Sequence, residues 1–239
     1  MGGASVAKLN DIDGNGTIEL ILEGGISSGV NYRDGLPWRV QTDTHMWSGE
    51  AFVFYRTKYA APQYRFQAVQ DADQATLGRE YDTALDLYQE AIFRDELEWW
   101  SPERRAYEQA LWDASWHFEV PTPTPLPFPT PDPNEYPNLA AYARYRIILL
   151  HILRGYLPEA TIVYETLQEK FPAGQPGHEF AEMATEFWID YQTSQDIGQA
   201  CNQAVEYARS HSEILTYLGS DYHGWQSHEY TPEDVCPFE

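Results

Sequence analysis

Gly155-Tyr-Leu157-Pro-Glu-Ala160-Thr-Ile-Val-Tyr164-Glu-Thr-Leu167, running on to Phe171-Pro172, decides the architecture. Leu157, Ala160, Tyr164 and Leu167 recur at three- and four-residue steps, so they share one face of a helix. The small alanine lets a second helix approach closely, the tyrosine fills the groove beside it, and Pro172 ends the element. Gly78-Arg-Glu-Tyr81-Asp-Thr-Ala84-Leu85-Asp-Leu87-Tyr88-Gln-Glu-Ala91-Ile92 has the same pattern, with one extra residue after its glycine. Ile197-Gly-Gln-Ala200-Cys-Asn-Gln-Ala204 is a weaker third copy.

Each copy follows another helical stretch that offers small or apolar partners. These are Ala68 and Ala72 for the first, Tyr145 and Ile148 for the second, and Ala184, Phe187 and Trp188 for the third. Such paired helices resemble tetratricopeptide repeats. The resemblance implies helical hairpins that bind peptides or scaffold assemblies through a concave face. Regular helical periodicity begins at Pro62, and a further helix is expected from Ser101-Pro102-Glu103 to about His117. Residues 121–133 carry proline at every second position, which neither a helix nor a central strand survives, so they are expected to form an extended spacer. Beyond it, helices are expected over about 138–154, 158–171, 177–192 and 196–209, with a short piece near 212–218.

Upstream of Pro62 the pattern is β. Ser5-Val-Ala-Lys-Leu9 and Ile18-Glu-Leu-Ile-Leu22 flank an acidic loop, while Trp38 to Trp47 and Ala51 to Tyr59 alternate around Ser48-Gly49-Glu50 in the manner of a hairpin. Four short strands in this space are like one blade of a propeller, which cannot bury both its faces alone. The expected fold class is therefore α+β, mostly α. Its regions are a β segment over 1–60, helices over 61–118, a proline-rich linker over 119–135, and helices with a tail over 136–239.

The acidic loop is Asp11-Ile-Asp13-Gly-Asn15-Gly-Thr17-Ile-Glu19. Oxygen-bearing residues at every second position let a tight turn aim them at one hard cation, and Gly14 and Gly16 permit the backbone angles required. Side-chain oxygens of Asp11, Asp13 and Asn15, the Thr17 carbonyl and the Glu19 carboxylate form the expected ligand set. An EF-hand would place an acid at the twelfth position, where this chain has Leu22, and would have helices on both sides. The loop instead resembles those of FG-GAP repeats, of the integrin-α and VCBS type, which lie between two strands. That resemblance implies structural Ca2+, an extracytoplasmic setting and no catalysis. The whole chain also resembles C-terminal regions of exported bacterial proteins that join such strands to helical hairpins.

The formal charge of −22 is unevenly placed: residues 1–60 carry 7 acids and 5 bases, the rest 30 acids and 10 bases. An acidic surface of this kind repels phosphate backbones and anionic lipid, so nucleic acid and membrane surfaces are poor partners. No apolar run is long enough to span a bilayer, and membrane insertion is not expected. The Met-Gly-Gly-Ala opening runs straight into a strand-like segment, as in a piece of a longer precursor. The preferred reading of Cys201 and Cys236 is a disulfide that ties the tail to the helices; two free thiols, one of them buried, is the other.

No pair of histidines with metal spacing, GxSxG, phosphate-cradling glycine loop or catalytic-cysteine motif occurs. The expectation is a non-enzymatic scaffold or a module that binds a protein or peptide, exported or surface-attached. The alternative is a carbohydrate-binding accessory domain that uses Trp99-Trp100 and His223-Gly-Trp225-Gln-Ser-His228.

Overall fold

The computed structural model describes residues 6–12, 14–24, 39–116, 127–218 and 230–238. Four strands, β1 (Val6–Asn10), β2 (Glu19–Gly24), β3 (Gln41–Trp47) and β4 (Phe52–Tyr59), form an antiparallel sheet in chain order. Seven α-helices follow among the described residues: α1 (Arg65–Leu77), α2 (Tyr81–Phe93), α3 (Pro102–Trp116), α4 (Glu135–Leu153), α5 (Leu157–Lys170), α6 (His178–Ser194) and α7 (Ile197–Ser210). Short 3-10 turns span Ser212–Leu218 and Pro232–Val235. The chain is α+β and mostly helical, as its periodicities imply.

Strand register follows from alternation. Leu9 faces Leu20, Leu20 faces His45 and His45 faces Phe54, so these side chains share one side of the sheet. Lys8, Ile21, Thr44 and Arg56 lie on the other. A bulge next to Thr44 and His45 leaves Tyr55 as the extra residue of β4. Leu9, Val53, Phe54 and Tyr55 are exposed.

The chain divides into two compact units. One contains the sheet together with 102–129 and 221–227, so α3 belongs to it; there the Tyr107 and Phe128 rings meet edge to face at 5.3 Å. The other contains 63–101, 130–220 and 228–239.

This division differs from the one read from sequence. Residues 119–126 of the expected linker lie outside the described residues, and α1 and α2, which precede it, pack directly on α4, which follows it, within a single unit. The reason lies in α4. From Leu139 to Leu150 every residue is buried, so this helix is covered on all sides and needs neighbours on all sides. α1, α2, α5 and α6 cover most of it, and the Ser212–Leu218 turn and residues 234–235 also pack on it. Tyr136 Oη donates to the Ile92 carbonyl at 3.2 Å, which joins the start of α4 to the end of α2. Arg65 closes the same helix end by donating to the carbonyls of Ala91 and Arg94.

The three hairpins are α1–α2, α4–α5 and α6–α7. The small residues of the repeated pattern are inside: Ala84 and Ala91 in α2, Ala160 in α5, Ala200 and Ala204 in α7. Tyr88 is fully buried, whereas Tyr164 is only half-buried and stacks on Trp188 at 4.8 Å.

One glycine sets the α5–α6 connection. Gly177 has φ +90°, and a Cβ there would stand 2.6 Å from Phe171 Cδ1 and 2.8 Å from the Pro137 carbonyl oxygen. Its N–H donates to Asn138 Oδ1 at 3.1 Å. Gly177→Ala combines a disfavoured backbone angle with a clash against backbone, and is expected to cost about 2–4 kcal/mol in urea denaturation. A cost under about 0.5 kcal/mol would contradict this packing.

Candidate metal loop and buried charge network

The acidic loop connects β1 to β2, with Asn10 and Glu19 paired at its base. Gly14 and Gly16 take φ of +73° and +85°, angles that side-chain-bearing residues rarely adopt. The resulting turn folds its polar groups inward. Asp11 Oδ2 accepts from Gly16 N at 2.9 Å, Asn15 Oδ1 from Thr17 N at 2.7 Å, and Glu19 Oε2 from Ile12 N at 2.8 Å.

Two oxygens are left over. Asp11 Oδ1 and Glu19 Oε1 are buried and meet no hydrogen-bond donor among the described residues, and Glu19 as a whole is only 3% exposed. A carboxylate oxygen removed from water without a donor is costly. Of the expected ligands, Asp11 and Glu19 thus present a bare oxygen each. Asn15 uses its oxygen on the Thr17 amide, and Asp13 lies outside the described residues. Among the described residues no group of three His, Cys, Asp or Glu side chains gathers at one point.

The second polar cluster is one that motif reading missed. Asp73 of α1 accepts hydrogen bonds from Tyr88 of α2, Tyr142 of α4 at 3.2 Å and Tyr230 at 2.8 Å. Arg146 of α4 stands 3.3 Å from the same carboxylate and is 1% exposed. Its Nη1 also donates to Tyr142 Oη and to the Asp234 carbonyl, each at 2.8 Å. Nε and Nη2 have no partner among the described residues.

Burial pushes the Asp73 carboxyl above the usual carboxylate range, against the opposing pull of Arg146 and the three phenols. Burial likewise drives the Tyr88, Tyr142 and Tyr230 hydroxyls well above the ordinary phenol range, so they act as donors here. For Arg146, burial favours the neutral form, but Asp73 and the surrounding phenols outweigh it and the guanidinium stays charged. The cluster is a buried ion pair in which the carboxylate is fully engaged while Nε and Nη2 of the guanidinium are not, among the described residues. A faint sequence signal existed: Arg146 interrupts the most apolar run of the chain, between Tyr145 and Ile147.

Residues 230–238 return to the helices beside this pair. Cys236 is bonded to Cys201 of α7, the disulfide preferred from sequence, and both cysteines are buried. Glu233 meets Arg209 Nη2 at 2.7 Å, and that contact holds the Glu233 carboxyl below the usual range. Alongside lies a cavity of about 930 Å³, walled by Leu77 and Tyr81 of the first hairpin, Leu153, Ile197 and Val205 of the later helices, and Phe238.

Of the aromatic residues considered for sugar binding, Trp100 is core. It is 9% exposed, its ring meets Tyr64 at 5.0 Å and its N–H backbone donates to Glu135. His223, Trp225 and His228 lie outside the described residues.

No protein-family model, curated protein or solved structure matches the chain. Among the described residues no helix is long and apolar enough to cross a membrane.

Proposed function

We propose that this chain is a non-catalytic, extracytoplasmic module that binds a protein or peptide through its helical hairpins and holds one structural Ca2+ in its N-terminal loop. The observation that carries the metal assignment is the pair of buried, donor-less oxygens on Asp11 and Glu19 within a turn built on two left-handed glycines. A structural ion suits the position, because the loop closes the β1–β2 ladder. A low-affinity loop of this kind works where calcium is abundant, and the Cys201–Cys236 bond suits the same oxidising surroundings. The cavity between the hairpins supports the binding role.

Calcium at about 100 times its Kd should stabilise the folded strand unit by about 2.7 kcal/mol, read as a rise in melting temperature. Asp13→Ala and Glu19→Gln should each remove that rise. A wild-type protein that ignores calcium would sink the site. On the binding side, a peptide or protein that saturates the hairpins in calorimetry supports the reading. Tight retention on a glycan array, lost in Trp225→Ala, would favour the carbohydrate alternative.

A further inference from the structure

Residues 230–238 touch the helices as a ligand touches a receptor. Tyr230 puts its hydroxyl on Asp73 in the floor of the helical unit. The next contacts are to main chain: Arg146 donates to the carbonyls of Asp234 at 2.8 Å and Val235 at 3.5 Å. Glu233 takes Arg209 from the outside, Val235 is fully buried, and Cys236 is tied to α7. An aromatic anchor, recognised backbone and one charge-matched side chain are the means by which proteins read short peptides, here one folded into a 3-10 turn over Pro232–Val235.

The same segment lines the 930 Å³ cavity through Glu233, Pro237 and Phe238, together with Leu77 and Tyr81. The segment thus meets Asp73 and Arg146 at one end and borders open space at the other. What sits in it comes from 157 residues downstream of Asp73.

We infer that the helical groove is a peptide-recognition site filled in cis by residues 230–238, and that the disulfide holds this occupant in place. The ligand class is an acidic, turn-forming peptide led by a tyrosine, with the tyrosine on Asp73, its main chain on Arg146 and an acid on Arg209. The inference rests on the peptide-binding reading above and names the recognition chemistry of that groove.

The probe is a fluorescent peptide of residues 230–238 carrying Cys236→Ser. The receptor is the full chain with Cys201→Ser, Tyr230→Ala and Cys236→Ser, which weakens the tethered segment and leaves Asp73, Arg146 and Arg209 intact. Fluorescence anisotropy should show saturable binding at least ten-fold tighter than to the disulfide-bonded parent. The same peptide with Tyr230→Ala should bind the receptor at least ten-fold more weakly.

No binding to a receptor that keeps its helical circular dichroism overturns the inference. So does a receptor that loses its helices, because the segment is then inseparable core. Hydrogen exchange on the parent gives an independent measure: under reductant, amides of 231–236 should exchange at least ten-fold faster while α4 stays protected. Loss of both together counts against it. A parent that binds a partner with its own segment still in place would leave the peptide-binding reading standing without this inference.

Discussion

Asp73→Ala should lower the unfolding free energy by about 3–5 kcal/mol, the cost of leaving a buried charge without its partner. The substitution strips Arg146 of its counter-ion at a site only 1% exposed, where water cannot replace it. It also orphans the hydroxyls of Tyr88, Tyr142 and Tyr230, three donors that converge on one carboxylate from α2, α4 and the returning segment. Nε and Nη2 of Arg146 already lack partners among the described residues, so little compensation is at hand. Removing both charges is a different experiment. Asp73→Leu with Arg146→Met removes the unpaired guanidinium and should recover that part of the loss, while the orphaned Tyr88, Tyr142 and Tyr230 hydroxyls keep the remainder. Urea denaturation of the two variants decides the matter. A single variant within about 1 kcal/mol of the parent would mean that the pair is hydrated and weak.

The second large effect belongs to the disulfide. Cys201 and Cys236 are 35 residues apart, and closing a loop of that size removes chain entropy from the unfolded state worth about 3–4 kcal/mol. Cys201→Ser/Cys236→Ser should therefore lose about that much stability by denaturant titration. Its helices should persist, because the packing of α1, α2, α4, α5 and α6 does not pass through either sulfur. Two thiols that alkylate in the native, unreduced parent would overturn the argument, as would a variant of unchanged midpoint.

Local patterns were legible because local chemistry set them. Alternation in β3 and β4 predicted the hairpin, and the three-and-four spacing of α5 and α7 predicted helices whose alanines face inward. α4 begins at Glu135, earlier than the expected 138, because Pro137 falls in its first turn, where a missing amide hydrogen costs nothing. Tyr55 as a bulge residue was invisible, since alternation alone does not reveal which strand carries an extra position.

In the loop, the oxygen spacing picked out Asp11 and Glu19, and these hold the two buried, donor-less oxygens. It did not foresee that Asn15 would spend its carbonyl on the Thr17 amide. Least legible was anything joining distant segments. Asp73, Arg146 and Tyr230 look like ordinary surface residues until α4 is known to be covered on every side. Nor does local pattern reveal that α1 and α2 meet α4 across the proline-rich stretch.

Consider when, during synthesis, the Asp73 carboxylate finds its last partner. Tyr230 emerges 157 residues after it, and Cys236 later still. At the usual pace of about 5–20 residues per second, α1 and α2 wait roughly ten seconds or more with an acid only partly matched. The helical unit therefore reaches its final form only after Tyr230 and Cys236 have left the ribosome, long after α1 and α2 themselves.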